Sequence, residues 1–329
     1  MIIDNIVDAF RFKDTVFYKD NSDLQDRYNA LKLLVKEYPN NDKLLNEMFI
    51  IKKGLEGENE IAYQLKKANI GMFILRDVKI KYKDMTAQID YVIITPVFIY
   101  YVECKNLIGN ITVNDKGDFI REFTVNGKKI KKGMYSPLRQ VEAQREVVRK
   151  LWEDSTSNFI RAFASSKFNY YRKVLVVVAN QDTILNTSKA PKDIKYKVLR
   201  ADALVNQIKY DINHINRDEY FNSKTNMEKI AKGYLSYCVE EHINYYEYYK
   251  NKYYNIDDLK ERLIELRKRR SSELNIPLYY VFNNEELEKL IELQPKSLDE
   301  LRNLNILSSI KIKCHGEALI DEINKIYNK

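Results

Sequence analysis

The sequence predicts a mixed α/β domain with a helical segment on its N-terminal side and an all-α bundle at its C-terminal end. Apolar residues recur at helical spacing over residues 24–38, apolar runs alternate with turn signals over residues 72–132, and helix-forming residues dominate beyond residue 225. The chain has 329 residues, 45% of them hydrophobic, which is enough to bury more than one core. We therefore predict four segments: residues 1–53 (helical N-terminal extension), 54–212 (α/β domain), 213–256 (helical, tyrosine-rich connector) and 257–329 (helical bundle).

The first fifty residues are predicted to be helical. The helix over residues 24–38 stops at Pro39-Asn40-Asn41, and a second helix begins near Asp42 and runs towards Gln64. We expect Gly54 and Gly57 to interrupt this second helix, because glycine weakens a helix interior.

The α/β segment is predicted to contain a hairpin, a β-meander, a helix and a buried strand. Turn signals at Asp115-Lys116-Gly117 and Asn126-Gly127 divide the meander, and Ser136-Pro137 begins the helix because proline suits a first turn. A further helix begins near Asp202. The predicted strands cover residues 72–82, 87–95, 97–105, 173–179 and 196–199, with the meander at 110–132.

Six tyrosines crowd a short stretch before Ile256-Asp257, where a composition shift predicts the last domain boundary. Such rings can stack on bases, but packing between helices is the commoner use and is our interpretation. The six are Tyr245, Tyr246, Tyr248, Tyr249, Tyr253 and Tyr254.

Charge and composition restrict the functional classes. The formal net charge is +8, and residues 103–150 contain 11 Lys or Arg against 6 Asp or Glu, so a polyanionic partner is as compatible with the sequence as a merely basic surface. The longest apolar run, residues 174–179, is far shorter than the roughly 18 residues that span a bilayer, so we expect no membrane partner.

Three widely spaced cysteines favour a reducing compartment, and we expect a cytoplasmic protein. The oligomeric state stays open.

The chemistry is predicted to lie on the hairpin, at Asp90, Glu103 and Lys105. Glu103 and Lys105 are two residues apart and therefore share one face of their strand. If the hairpin turns between Pro96 and Val97, Asp90 lies directly opposite Glu103, with their Cβ atoms about 5 Å apart. Two carboxylates this close repel each other unless a cation lies between them, and Mg²⁺ suits that position. An ammonium beside them could orient the attacking water or stabilise charge on a phosphate.

A cross-strand salt bridge on a solvated face would produce the same three residue types. The apolar context favours a functional site instead, because Val92-Ile93-Ile94 and residues 99–102 flank the charges and make both strands central and buried.

These residues resemble a known nuclease family. Asp90 with Glu103-Cys104-Lys105 resembles the PD-(D/E)xK nuclease signature. More specifically, Gly54-Leu55-Glu56-Gly57-Glu58, Gln88-Ile89-Asp90 and Val102-Glu103-Cys104-Lys105-Asn106 followed by Gly109 resemble the NERD (nuclease-related) domain over roughly residues 54–179.

The resemblance implies an αβββαβ core of the restriction-endonuclease type with a mixed sheet. It also implies a helix-borne upstream acid, which Glu58 matches best and for which Glu60 is the competitor. Ser136-Pro137-Leu138-Arg139-Gln140 resembles the family's Pro and Gln helix motif, so Gln140 is carried over as a residue of the site, and Gln144 lies one turn further on. The implied metal ligands are Asp90, Glu103 and Glu58, with Mg²⁺ as the cofactor and Mn²⁺ as a substitute.

The C-terminal segment resembles an HRDC domain, a small helical bundle that contacts nucleic acids or proteins. In that family a Gly-apolar-Gly turn follows the helix that Leu301 ends, whereas this chain has Ile306-Leu307-Ser308, which removes close backbone approach to a phosphate. The run Arg267-Lys268-Arg269-Arg270 is either a nucleic-acid contact or a solvated helix face. The resemblance rests on Leu263, Leu266, Arg267, residues 275–282, Leu287, Leu290, Pro295, Ser297, Leu298, Leu301 and Gly316.

From these observations we expect a metal-dependent nuclease that hydrolyses phosphodiester bonds of nucleic acid, with DNA as the expected substrate. The expected catalytic residues are Glu58, Asp90, Glu103, Lys105 and Gln140. The alternative is a catalytically inactive nucleic-acid-binding or scaffold protein with a nuclease-like fold, and the bundle could also bind a protein partner. The candidate nucleic-acid contacts are Lys128, Lys129, Lys131, Lys132, Arg267, Lys268, Arg269 and Arg270.

Overall fold

The computed structural model describes residues 12–157, 165–215, 221–239 and 241–325, without the side chains of 254–257. The chain divides into two compact units. The first comprises the described parts of residues 1–28 and 48–242, and the second comprises residues 29–47 and the described part of 243–329.

A six-stranded mixed sheet organises the first unit. Its strands lie in the order β1-β2-β3-β4-β8-β10. The three central strands β2, β3 and β4 pair antiparallel, while β1 joins β2, and β8 joins both β4 and β10, in parallel. The bounds are β1 Thr15–Lys19, β2 Met72–Tyr82, β3 Met85–Ile94, β4 Ile99–Lys105, β8 Arg172–Val178 and β10 Val198–Arg200.

Helices cover both faces of this sheet. Alternate residues of a strand point to opposite faces, so neighbouring residues enter different cores. Val92 and Val176 pack with helices α3 and α7 on one face, whereas Ile93 and Val177 pack with α2 and α6 on the other. The helices of this unit are α2 Asp42–Lys66, α3 Pro137–Ser155, α4 Phe168–Tyr171, α5 Lys192–Lys195, α6 Ala201–Asn213 and α7 Lys224–Ser236; α1 covers Asp23–Glu37.

The predicted β-meander is present as a second, smaller sheet. Its strands are β5 Asn110–Val113, β6 Phe119–Val125 and β7 Lys128–Met134, and β9 Leu185–Asn186 pairs with β5 to give the order β7-β6-β5-β9. Ile111, Val113 and Phe119 enter the main core, whereas β7 is exposed along nearly its whole length.

The second unit is helical. A capping box at Asn283 and Glu286 starts its third helix, α10. Leucines such as Leu263, Leu290 and Leu319 fill its own core. Its helices are α8 Tyr245–Leu274, α9 Leu278–Val281, α10 Asn284–Leu293, α11 Leu298–Asn303 and α12 Ser309–Asn324.

The structure differs from the sequence prediction at the N-terminal end. Residues 15–19 form the edge strand β1 instead of a helix, and residues 1–11 of the predicted extension lie outside the described part of the chain. Helix α2 runs unbroken through Gly54 and Gly57, so the predicted interruption is wrong and the predicted boundary after residue 53 falls inside a helix.

Two further boundaries also differ. The predicted connector includes α7, whose Met227 and Ala231 belong to the main core of the first unit, and Cys238 forms a β-bridge with Ile80 of β2. Helix α8 runs across residues 256 and 257, so the backbone is continuous helix at the predicted boundary.

The tyrosine cluster packs within its own unit, as predicted for most of its members. Tyr249 is fully buried and Tyr253 is 8% exposed, whereas Tyr248 is 50% exposed. The hydroxyl of Tyr253 donates to Glu47, and that of Tyr246 donates to Glu37. The side chain of Tyr254 lies outside the described residues.

A membrane-spanning helix is not found among the described residues, since no helix there combines sufficient length with sufficient apolarity.

Two glycines of α2 provide a matched test of how closely this helix packs on the sheet. A Cβ atom at Gly57 would lie 2.5 Å from Cβ of Asn106 and 3.1 Å from Sγ of Cys104. At Gly54 it would meet only the tip of Leu24, at 3.0 Å. We expect Gly57→Ala to destabilise the protein by about 1–3 kcal/mol through overpacking. Gly54→Ala should be neutral or stabilising by up to about 1 kcal/mol, because alanine favours the helix. Urea unfolding of both variants checks this, and equal midpoints would contradict the close packing.

Candidate active site

The register of the hairpin brings the predicted carboxylates to the same end of the sheet. Strands β3 and β4 pair Ile94 with Ile99 and Tyr91 with Val102, which is the predicted register. One step further, Asp90 and Glu103 face each other where the ladder ends. Opening of the two strands at this point leaves room for Oδ2 of Asp90 to accept a hydrogen bond from the backbone N–H of Cys104, at 2.7 Å.

Glu103, Lys105 and Gln140 form one hydrogen-bonded group. Glu103 is 3% exposed, and its Oε1 lies 2.5 Å from Nζ of Lys105. The same ammonium donates to Oε1 of Gln140 at 3.3 Å. Ser136 caps α3 and Pro137 occupies its first turn, so the helix begins where Gln140, on its first turn, faces the end of β4.

Asp90 is the carboxylate whose charge is least well balanced. Burial, followed by repulsion from Glu103, raises the pKa of Asp90 well above its ordinary value. The hydrogen bond from Cys104 N–H opposes this shift, and Lys105 opposes it more weakly. The ionised form of Asp90 is therefore less favourable than that of an exposed aspartate.

Glu58 lies buried on α2 and is bound by its own cation. Its Oε2 accepts from Nε of Arg76 at 2.9 Å and from the hydroxyl of Ser22 at 2.7 Å. Burial raises the pKa of Glu58, while Ser22 and Arg76 oppose the increase. The hydroxyl of Tyr91 donates to the backbone carbonyl of Glu58 at 2.7 Å, which ties α2 to β3.

Glu60, the competing upstream acid, is only partly buried and faces elsewhere. Its Oε1 accepts from Gln64 at 2.8 Å, and Gln181 approaches its Oε2 at 3.5 Å. The structure therefore brings Glu58, and not Glu60, to the buried side of the helix.

Gln144 extends the site along α3. It is 9% exposed, and its Nε2 donates to the carbonyl of Gln88 at 2.5 Å and approaches Oε2 of Glu103 at 3.5 Å. Its own Oε1 is buried and has no hydrogen-bond partner among the described residues. Gln144 thus positions Glu103 from the side opposite Lys105.

Asp77 is a site-supporting residue that the sequence reasoning missed. It occurs in the middle of β2 with a φ of +50°, in the left-handed region that non-glycine residues rarely adopt. Its carboxylate accepts from the backbone N–H of Asp23 and from Gln88, and Lys19 donates to its carbonyl. The available signal was the charged pair Arg76-Asp77 directly after the apolar run of residues 72–75.

Cys104 points away from the two site residues that flank it, as predicted. It packs with Val102 and Ile61 on the α2 face, and burial raises the pKa of its thiol well above the ordinary value. The thiol stays protonated and contributes packing.

The donor set matches Mg²⁺ in chemistry but not in the expected number of ligands. Among the described residues, no group of three or more His, Cys, Asp or Glu side chains is arranged to hold a metal ion. The expected set of Glu58, Asp90 and Glu103 is therefore not assembled. Asp90 and Glu103 remain, and two carboxylates suffice for Mg²⁺ because it keeps several water ligands.

The lysines of the meander are exposed, and all but one lack an ion pair within the described structure. Lys131 lies 2.7 Å from Glu122, whereas Lys128, Lys129 and Lys132 form no such bridge. Arg121, on the neighbouring strand β6, lies over the ring of Phe123, with 4.6 Å from Cζ to the ring centroid.

The basic run of the second unit divides into two pairs. Arg267 donates to Asn284, and Arg270 donates to the carbonyl of Cys314, so both stabilise the bundle. Lys268 and Arg269 are exposed, and Arg269 lies about 4 Å from Glu273 and Glu322.

The turn without glycines belongs to the core. Ile306 and Leu307 are buried, and Ser308 caps α12.

The mixed sheet, with two facing carboxylates and a lysine where its central strands end, has the architecture of a nuclease-related α/β domain. Comparison with family models agrees: residues 53–178 match the nuclease-related domain, NERD, and residues 257–323 match the HRDC domain. The chain therefore combines a NERD domain with a C-terminal HRDC domain. Comparison with curated proteins and with solved structures gave no match.

Because the pKa of Asp90 is raised, its ionised carboxylate lowers the free energy of unfolding when no metal is bound. The unfolded chain loses the Asp90 proton near the ordinary pKa of about 3.9, whereas the folded protein retains it to higher pH, so stability falls as the pH rises through that interval. We expect Asp90→Asn to raise the Tm at neutral pH in EDTA, and the difference from wild type to shrink as the pH approaches 4. Thermal unfolding across this range measures it.

Glu103→Gln serves as the contrast, because it also relieves the repulsion but breaks the short contact with Lys105. It should stabilise less than Asp90→Asn, or destabilise. An Asp90→Asn variant that is less stable than wild type in EDTA would contradict the charge imbalance.

Proposed function

We propose that this protein is a metal-dependent nuclease that hydrolyses phosphodiester bonds of DNA. The observation that carries the proposal is the meeting of Asp90, Glu103 and Lys105 at the adjoining ends of two central strands, where no described residue forms an ion pair with Asp90. The match to NERD supports the nuclease-related class. We assign the core the element order αβββαβ because of the same resemblance to PD-(D/E)xK enzymes.

Asp90 and Glu103 would hold Mg²⁺, with Mn²⁺ as a substitute, and water and phosphate oxygens would complete the shell. A bound Mg²⁺ supplies Lewis-acid stabilisation of charge on the phosphate and lowers the pKa of a bound water. Glu58 is assigned a positioning role in place of the expected ligand role, because Arg76 and Ser22 occupy its Oε2.

Lys105 is proposed to stabilise negative charge on the scissile phosphate or to hold the attacking water. Its ammonium is 24% exposed, so substrate can reach it, while Glu103 and Gln140 fix its direction. Gln140 is the residue of α3 placed to contact both the lysine and a bound substrate.

The exposed lysines of β7 are proposed to contact the DNA backbone. Lys128 and Lys132 share one face of the hairpin with Arg121 and Phe123, as the pairing of Arg121 with Lys132 and of Val125 with Lys128 requires. An unpaired lysine releases counterions from DNA more readily than one already paired with a carboxylate. Lys131 and the basic run 267–270 are therefore weaker candidates, apart from Lys268.

The second candidate function is a catalytically inactive nucleic-acid-binding or scaffold protein. The 2.5 Å ion pair between Glu103 and Lys105 favours it, because both groups stabilise the fold without a metal. The HRDC match is compatible with either function and with a protein partner.

Cleavage assays on single-stranded, double-stranded and branched DNA and on RNA test the proposal. We expect cleavage that requires Mg²⁺ and stops in EDTA, and losses of about 10²-fold or more in Asp90→Asn, Glu103→Gln and Lys105→Met. Glu60→Gln is the matched acidic control and should keep its activity. Full activity in Asp90→Asn would refute the assigned site, whereas a wild type that binds but never cleaves would support the second candidate.

A salt titration of DNA binding tests the lysine assignment. Replacing Lys128 and Lys132, which share one face of β7, by Gln should reduce the slope of log Kobs against log salt by about 1.8 if each contacts a phosphate. Lys131→Gln, on the opposite face of the same strand, is the control and should change the slope least. An unchanged slope in the double variant would show that this face of β7 does not touch the DNA.

A further inference from the structure

A cavity of the first unit lies away from the proposed active site. It has a volume of about 260 Å³ and lies between α3, β2 and α7. An engineered cavity of about 150 Å³ is sufficient to bind benzene, so this one can accommodate a ring with a short chain. Most of its wall is apolar, formed by Ile80, Val148, Leu151, Trp152, Ile230 and Gly233.

One wall carries a cation that lacks a carboxylate partner. Arg172, the first residue of β8, forms no ion pair with any described residue, and its Nε is buried without a hydrogen-bond partner there. Its guanidinium lies against two rings, with Cζ 4.2 Å from the centroid of Phe168 and 5.6 Å from that of Trp152. Stacking of this kind covers the faces of the guanidinium, and the Arg172 side chain also forms a hydrogen bond with the hydroxyl of Tyr234, so a planar anion would approach the N–H groups that remain.

The remaining polar groups near the cavity are neutral. The hydroxyls of Tyr101 and Tyr234 lie 2.5 Å apart. Burial raises the pKa of both phenols, so neither supplies a negative charge that would balance Arg172. An apolar cavity with one unbalanced cation is complementary to a molecule with an apolar body and a single negative charge.

We propose that this cavity binds a small monocarboxylate with an aromatic or short aliphatic body. The carboxylate would form a bidentate pair with Arg172, and the apolar body would occupy the space between Trp152, Ile230 and Gly233. The site is independent of the proposed nuclease chemistry, since none of its lining residues belongs to the group around Asp90 and Glu103.

Gly233 provides the sharpest test. A Cβ atom there meets no atom within 4 Å, and the residue lies within α7, so a side chain at this position would enter the cavity without a clash at Cβ. Gly233→Leu would fill the cavity, whereas Gly233→Ala is the matched control that leaves most of it open. Both substitutions favour the helix, so both variants should fold.

The experiment is calorimetric titration of the full chain with phenylacetate and 4-phenylbutyrate, each compared with its neutral amide. We expect the acids to saturate one site and the amides to bind at least about tenfold more weakly. Gly233→Leu should abolish binding and Gly233→Ala should retain it. Arg172→Gln, if folded, should lower the affinity for the acids to that for the amides.

Equal affinity for acid and amide would overturn the role of Arg172. Undiminished binding to Gly233→Leu would overturn the location, and absence of binding by both acids at millimolar concentration would overturn the proposal itself.

Discussion

Charge balance inside the first unit is the constraint on which the proposed site depends. Arg76 neutralises Glu58, and Lys105 neutralises Glu103, whereas Asp90 accepts the backbone N–H of Cys104 and forms no ion pair with any described residue. A buried carboxylate without a countercharge must take up a proton or a cation. The strands cannot easily move Asp90 away, because the antiparallel register of β3 and β4 places it opposite Glu103. Under the proposed function, a metal ion between Asp90 and Glu103 would supply the countercharge.

The charge imbalance at Asp90 is accompanied by a strained backbone conformation at the neighbouring residue Asp77. Asp77 on β2 lies opposite Asp90 on β3 and adopts a strained left-handed conformation. Hydrogen bonds that involve Asp23, Gln88 and Lys19 hold it in this conformation. Such strain costs of the order of 1–3 kcal/mol and persists only when surrounding contacts enforce it. The reversal at Asp77 also changes which residues of β2 and β3 face α3: beyond it, Val78 and Ile89 enter the core on that side. The backbone irregularity thus interrupts the alternation of the two strands at the position of Asp90.

Local sequence patterns predicted the elements around the site better than the supports behind it. Local signals were sufficient for four features: the bounds of β2, the hairpin register, the meander and the start of α3. These signals are period-two alternation, turn residues and a Ser-Pro cap.

Strand β1 was predicted as helix because a parallel edge strand gains its stability from pairing with β2, which residues 15–19 do not reveal by themselves. The same reason explains Gly54 and Gly57: tertiary packing against Leu24 and Asn106 outweighs their weak helix propensity. Ser22 is distant in sequence from Asp90 and Glu103, so no spacing rule could assign it to the site. Arg76 and Asp77 reach the site through the register of the β2–β3 hairpin and the left-handed backbone of Asp77, which strand alternation does not predict.

Helix α3 connects the two places where the structure leaves charge unbalanced. Its first turns carry Gln140 and Gln144, which contact Lys105 and approach Glu103. One turn beyond Gln144, Val148 already lines the cavity beside Arg172. The same helix therefore contributes glutamine side chains at the end of β4 and, about 6 Å further along its axis, valine and leucine side chains at the cavity. The change from glutamine to apolar residues along this one helix is what separates the polar site from the cavity.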